Sequence, residues 1–118
     1  MAKLLVHLAT GPENATRAAL ALLVARTAVE EGHEVQLFLA GDAVQLARPE
    51  TSEAVHGAGT GNVAEHWQAL RAAGVPVFLS GMSSKAHGVQ ADTTDGIELA
   101  QPTKLVELAT QADTTLTY

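Results

Sequence analysis

The sequence predicts an α/β domain in which a parallel sheet is covered by helices on both faces. Segments typical of strands alternate with segments typical of helices along the whole chain, and this alternation indicates a parallel sheet. The first strand, Lys3 to Ala9, is an almost continuous apolar run, as expected for a strand buried on both faces. A length of 118 residues suits one domain over residues 1–118, and neither a repeat nor a linker interrupts it.

A long helix is predicted directly after this strand. Thr10 is a suitable N-cap, Pro12 suits the first helical position, and Glu13 lies three residues after Thr10, as in a capping box. The helix is predicted to continue to about Glu31. Residues 18–25 are apolar almost all round, so we expect the helix to be deeply buried or covered by another subunit.

Turn residues and apolar periodicity place the later elements. Four more strands are predicted at residues 34–40, 75–79, 96–99 and 114–118. A short helical piece is predicted at 43–47, and a longer helix begins at the cap residue Asn62 and ends at Gly74. The last helix spans 102–112, and the residues predicted to face inward are Leu105, Val106, Leu108 and Ala109. Residues 48–61 are polar and rich in Gly, Ser and Thr, so we expect a mobile loop there.

Composition excludes several classes of partner. The formal net charge is −6, and the seven basic residues are dispersed, so no patch is available to neutralise a phosphate backbone or an anionic membrane surface. No apolar run approaches the roughly 20 residues that cross a bilayer, and the first residues lack a signal-peptide layout. The chain has no cysteine, so disulfides are impossible. We therefore expect a cytoplasmic protein that binds neither nucleic acid nor membrane.

Ligands of open parallel sheets bind outside the carboxyl ends of the strands. Three glycine-containing segments leave those ends here, at residues 10–14, 40–42 and 80–88. The first places Thr10, Gly11 and Asn14 at the start of a helix, where free N–H groups favour an anion. The same residues are also those that begin any helix well, so the segment has either a binding role or a purely structural one.

The segment after the third core strand is chemically richer. The candidate ligand-binding residues in it are Ser80, Gly81, Met82, Ser83, Ser84, Lys85 and His87. Such a mixture can bind an oxyanion or a polar ligand, or activate a serine with an imidazole or an amine as base. It contains neither a Gly-x-Ser-x-Gly elbow nor a Ser-x-x-Lys pair, so no catalytic residue is assigned. A tight turn of small residues with a solvated lysine would also account for the composition of this segment without any binding role.

The histidines give no sign of a metal site. No pair among His7, His33, His56, His66 and His87 has the i, i+4 or His-x-His spacing of strong metal sites, and there is no cysteine to help. His7 lies in an apolar strand and is interpreted as a satisfied core histidine. We predict neither a metal nor another cofactor.

The order and spacing of several short motifs resemble the DsrE/DsrF-like family, the sulfur-relay group that includes TusD-type subunits. The matching segments are 10–14 (TGPEN), 19–22 (ALAL), 32–35 (GHEV), 38–44 (FLAGDAV), 73–77 (AGVPV) and 80–88 (SGMSSKAHG). This resemblance implies a three-layer α/β/α domain with a five-stranded, mainly parallel sheet. It also implies a homo-oligomer, a trimer or a hexamer.

The resemblance also bears on chemistry. Relay members carry persulfide sulfur on a cysteine at the end of the strand before the 80–88 segment, where this chain has Ser80, and their usual arginine is His87 here. A serine hydroxyl cannot hold a persulfide, so sulfur transfer by this subunit is excluded. We expect a non-catalytic subunit related to sulfur metabolism that binds a small ligand or docks a partner. The alternatives are a hydrolase or transferase using Ser80 or Ser84 with His87, and a structural subunit beside a cysteine-bearing paralogue.

Overall fold

The computed structural model describes residues 1–90 and 96–118. In this part of the chain the strands are β1 Lys3–Leu8, β2 Glu34–Leu39, β3 His56–Gly57, β4 Gly61–Asn62, β5 Val77–Ser80, β6 Ile97–Ala100 and β7 Thr114–Thr117. Five of them form a sheet in the order β6-β5-β2-β1-β7, and its described pairings are all parallel. The predicted α/β fold with a parallel five-stranded sheet is confirmed.

Helices lie on both faces of this sheet. Those of the described ranges are α1 Ala15–Glu30, α2 Pro49–Ala54, α3 Val63–Ala72, α4 Gly81–His87 and α5 Pro102–Gln111, with 3-10 turns at Pro12–Asn14 and Gly41–Ala47. Side chains alternate across each strand, so Val6 joins the core beneath α1 and α3, whereas Leu5 joins a smaller core with Leu108 of α5. The larger core is aliphatic. The smaller one contains Phe38 and Phe78, whose rings stack 6.4 Å apart.

Helix α1 is only partly buried. Alanines and Leu22 form its inner stripe, which lets the helix lie close to the sheet. Leu20 is 37% exposed, and Leu23 and Val24 are only half-buried. These three residues have i, i+3, i+4 spacing, so they share the outer face of α1. The all-round apolar middle of this helix therefore leaves an uncovered apolar stripe.

The start of α1 differs from the sequence-based expectation. Thr10 does not cap it; the Asn14 side chain does, accepting a hydrogen bond from the Arg17 amide at 3.1 Å. The turn Pro12–Asn14 is a 3-10 turn that precedes the helix. Glu13 still reaches back as in a capping box, because its carboxylate accepts from the Gly11 amide at 2.8 Å.

Residues 48–61, expected to be a mobile loop, form regular secondary structure instead. This segment forms α2 and the β3–β4 hairpin. The hairpin is fastened to α1, since the Thr16 hydroxyl accepts from the Ala58 amide at 3.0 Å and the Thr60 hydroxyl donates to the Thr16 carbonyl at 3.1 Å. The backbone of Gly57 packs directly on this helix, because a Cβ built on Gly57 would lie 3.0 Å from the Cβ of Ala19. Its glycine serves close packing rather than mobility.

Helix α5 also faces the sheet differently from the prediction. Leu108 is buried and Leu105 is half-buried, but Val106 is 62% exposed and Ala109 is exposed. Inward contact is made by the i, i+3 pair Leu105 and Leu108, followed by Ala112. Val106 and Ala109 lie one position further round the helix, so their side chains face away from the sheet.

Candidate functional site

The carboxyl ends of three neighbouring strands meet at one edge of the sheet. Leu8 at the end of β1 is in register with Leu39 of β2, which is in register with Leu79 of β5. The three segments that leave these strands are residues 10–14, residues 41–42 and α4 with its cap Ser80, and we call them together the rim. The strand Val77–Ser80 is parallel and interior, as the sequence predicts.

The Gly41–Asp42 turn connects the other two parts of the rim. A Cβ built on Gly11 would lie 2.1 Å from the Asp42 carbonyl oxygen, so the two backbones touch and only glycine fits there. The Gly41 amide donates to the Ser83 hydroxyl at 2.8 Å. The Asp42 carboxylate lies 3.1 Å from His87 Nε2. The predicted segments 10–14 and 80–88 are therefore bridged by a turn that lies between them.

Ser80 and Ser83 have defined structural roles on the rim. Ser80 is buried at the end of β5, and its hydroxyl caps α4 by accepting from the Ser83 amide at 3.2 Å. The Ser83 hydroxyl accepts from Gly41 and keeps its own proton available for donation.

The remaining α4 side chains point in different directions. Ser84 is 1% exposed, and its hydroxyl has no hydrogen-bond partner within residues 1–90 and 96–118. Lys85 is exposed, so the neighbouring Ser84 and Lys85 diverge, as consecutive residues on a helix do. Met82 is also exposed, which leaves an apolar side chain beside the polar groups of the rim.

His87 is held at two points. Its imidazole faces the Asp42 carboxylate, and its backbone carbonyl accepts a hydrogen bond from the Arg48 guanidinium. No hydrogen bond joins His87 to Ser80 or Ser84 among the described residues, so the serine–histidine pair required for nucleophilic catalysis is not assembled here. Asp42 does supply an orienting group for the imidazole. The arrangement can hold a polar ligand through hydroxyl, imidazole and ammonium groups.

Asp42 of the rim and Arg48, which lies outside the rim and contacts it, are not among the candidate residues predicted from the sequence. Asp42 belongs to the segment 40–42 that the strand-end rule places at this edge of the sheet, but no role was predicted for its carboxylate. Arg48 was assigned to a mobile loop, and no local pattern indicates that its side chain reaches α4.

His7 is not the satisfied core histidine that the sequence suggested. It lies edge-on to Phe38, with ring centroids 6.0 Å apart, and its Nε2 is buried without a hydrogen-bond partner in the described part of the chain. Burial disfavours the charged imidazolium and lowers the pKa of His7 below its usual 6.5.

The described residues contain neither a cluster of metal-binding side chains nor a membrane-spanning helix. Within residues 1–90 and 96–118, no group of three or more His, Asp or Glu side chains has a geometry suited to a metal ion. Over the same residues, no helix is both long enough and apolar enough to span a bilayer.

The fold and the family are shown by comparison with other proteins. A sequence model of the DsrE/DsrF-like family matches residues 2–118. The crystal structure of the YchN protein from E. coli superposes with a TM-score of 0.82 at 23% identity, with both chains covered in full. BT1422 from Bacteroides thetaiotaomicron, a conserved protein of unknown function, has a TM-score of 0.72 at 16% identity, with 98% of this chain and 94% of that one covered. No curated protein matches the sequence.

Proposed function

The chain belongs to the DsrE/DsrF-like family, and we propose that it is a non-catalytic member that binds a small polar or anionic ligand at the rim. The observation that carries this proposal is the end of β5, where a chain without cysteine has Ser80, Ser83 and Ser84, and where the Ser83 hydroxyl is only half-buried. A hydroxyl cannot form the persulfide that sulfur relay requires. The proposed role is therefore binding, in a setting related to sulfur metabolism and in the cytoplasm.

The groups free to meet such a ligand support a polar or anionic one. Ser83 can donate its hydroxyl proton, and Lys85 presents an exposed ammonium group on the same helix. The Asp42 carboxylate faces His87, so its negative charge is directed at the imidazole. A small oxyanion would exchange water for one hydroxyl and one ammonium hydrogen bond, which are both charge-assisted.

Isothermal titration against sulfite, thiosulfate, nucleotides and small thiols tests this proposal. We expect one of these classes to bind the wild-type protein and to lose most of its affinity for the S83A/K85A variant. The matched control is K3A/T27A, which removes the same two kinds of group at the start of β1 and in the last turn of α1, at the opposite end of the strands from the rim. The proposal fails if none of the probes binds, or if both double variants bind as the wild type does.

A homo-oligomer, a trimer or hexamer, is part of the proposal. The uncovered stripe of Leu20, Leu23 and Val24 on α1 supports it, because a subunit interface would remove this apolar surface from water. Light scattering after gel filtration should give the mass of an oligomer for the wild type and a smaller mass for Leu20→Asp. Thr110→Asp, at an exposed position of α5 on the other face of the sheet, is the control.

The second candidate function is a hydrolase or transferase, and one observation favours it. Asp42 orients His87 in the way that an acidic residue orients the base of a catalytic triad. We propose that this pair nevertheless acts in binding, because no serine oxygen is hydrogen-bonded to the imidazole in the described residues. Hydrolysis of a p-nitrophenyl ester that is lost in His87→Gln and retained in His56→Gln would favour the hydrolase instead.

The third candidate is a structural subunit that depends on a cysteine-bearing paralogue. The exposed Met82 beside the polar rim supports a docking role, since it offers apolar surface to a partner. Co-purification of a cysteine-bearing family member with the wild type, and its loss with Met82→Glu, would favour this alternative over a free ligand site.

A further inference from the structure

A small pocket lies between α2 and α3, in the helical layer and separate from the residues of the rim. Its volume is about 120 Å³, and its walls include Pro49 and Glu53 from α2, with Ala64, Trp67 and Gln68 from α3. Engineered apolar cavities of about 150 Å³ are known to bind benzene, so this pocket has room for a compact group of several heavy atoms.

One wall of the pocket is the only tryptophan of the chain. Trp67 is half-buried, and the guanidinium carbon of Arg71 stands 5.9 Å from its ring centroid. That distance is within the range of a cation–π contact, so Arg71 engages this ring, but Arg71 is not among the residues that line the pocket. An indole ring is the aromatic group that holds organic cations best.

The polar residues that line the pocket also favour a cation over an anion. Ser52 is buried in the pocket wall, and its hydroxyl donates to the Pro49 carbonyl at 3.2 Å, so it is already satisfied. Glu53 is exposed and makes no ion pair with a residue of the described ranges. No lysine or arginine lines the pocket. Glu53 would therefore attract a cation and repel an anion, and the net charge of −6 acts in the same direction.

We propose that the α2–α3 pocket binds the head of a small organic cation, an alkylated ammonium or a guanidinium group. The cation would rest against Trp67, with Glu53 as its counter-charge and Pro49 and Ala64 as apolar walls. Such a group has two sources, a free amine in solution or a lysine or arginine side chain of a partner. This site takes the opposite charge to the one proposed for the rim, and its test is independent of the rim.

Trp67 is the chain's own reporter for this proposal. Titration with tetramethylammonium should produce a saturable change in tryptophan emission, and neopentyl alcohol, its neutral counterpart, should produce a much smaller one. Glu53→Gln should weaken binding by roughly two- to fivefold, the effect expected of one exposed charge. Glu50→Gln is the matched control, because Glu50 is exposed on the same helix and does not line the pocket. Both substitutions are at exposed positions, and circular dichroism checks that the fold is kept.

A parallel titration distinguishes the two sources. N-acetyl-arginine amide and N-acetyl-trimethyllysine amide carry the same heads on a peptide-like stem, so tighter binding than tetramethylammonium indicates a partner side chain, and weaker binding indicates a free amine. The proposal is overturned if tetramethylammonium and the alcohol change the emission alike. It is also overturned if Glu53→Gln and Glu50→Gln have equal effects.

Discussion

Asp42 Oδ1 lies 3.1 Å from His87 Nε2, and this contact joins the end of β2 to the end of α4. The two side chains are 55% and 31% exposed, so solvent screens the pair and its contribution to stability is below about 1 kcal/mol. Its importance is geometric. Together with the Ser83–Gly41 hydrogen bond it fixes α4 against the Gly41–Asp42 turn, and the polar groups of the rim are held in one arrangement.

Gly11→Ala should disrupt the rim directly. The new methyl group would lie 2.1 Å from the Asp42 carbonyl oxygen, so the backbones of the two turns must separate. Overpacking of this kind costs about 1–3 kcal/mol. The free energy of unfolding, measured by urea denaturation, gives the effect.

Gly81→Ala is the control for that substitution, because a methyl group there would meet its nearest neighbours at ordinary distances of 3.4 and 3.6 Å. Equal stability losses at the two glycines would mean that residues 10–14 and the Asp42 turn are not in contact in solution.

Ser83→Ala and Ser84→Ala should have opposite consequences although the residues are adjacent. Loss of the Ser83 hydroxyl leaves the Gly41 amide without its acceptor and should cost about 0.5–1 kcal/mol. The Ser84 hydroxyl is buried without a described partner, so its removal should leave stability unchanged or raise it. Thermal unfolding of the two variants at one pH compares their stabilities. A loss of stability confined to Ser84→Ala would show that the hydrogen bonds assigned to α4 are wrong.

The stability of the protein should depend on His7 in mildly acidic solution. Burial lowers the pKa of His7 in the folded chain below 6.5, so the unfolded chain binds its proton first as the pH falls. Stability contributed by the neutral imidazole is therefore full above pH 6.5 and is lost as the pH falls through the folded pKa.

Denaturant midpoints measured between about pH 7.5 and pH 5 test this dependence, since that interval brackets the ordinary histidine pKa. His7→Leu should flatten the decline below the ordinary pKa, whereas His56→Gln, at an exposed position of the hairpin, should keep it. An unchanged slope in His7→Leu would exclude His7 as its source.

The hairpin should be ordered in solution rather than mobile. The Thr16 hydroxyl accepts from the Ala58 amide, so Thr16→Val, which keeps the shape of the side chain, should raise the hydrogen-exchange rate of that amide. Thr27→Val removes a hydroxyl from the other end of α1, where it donates to the Leu23 carbonyl, and should leave Ala58 unaffected. Fast exchange of Ala58 already in the wild type would restore the interpretation as a mobile loop.

Much of the fold could be predicted because buried strands and helices require apolar residues at regular spacings, which the sequence shows directly. The segment around Phe78 and Leu79 is apolar on both sides of the chain, and it is an interior parallel strand. The errors occurred where a choice depended on tertiary contact. Thr10 and Asn14 are both good caps, and only the 3-10 turn between them selects Asn14.

The site was less predictable than the fold for the same reason. The strand-end rule placed Ser80, Ser83 and His87 at one edge of the sheet, and the structure brings Ser83 and His87 onto the Gly41–Asp42 turn. The polar composition of residues 48–61 gave no sign that the backbone of Gly57 would pack on α1 or that Arg48 would reach the His87 carbonyl. These contacts involve residues far apart in the chain.

The most direct test of the proposed binding rim is a ¹H–¹⁵N titration of the protein with sulfite and thiosulfate at constant ionic strength. We predict saturable shifts of the Gly11, Gly41 and Ser83 amides, which surround the Asp42 turn, with the Gln68 amide of α3 unmoved. Absence of any saturable shift at the three rim amides, or an equal shift at Gln68, would contradict a ligand site at this edge of the sheet.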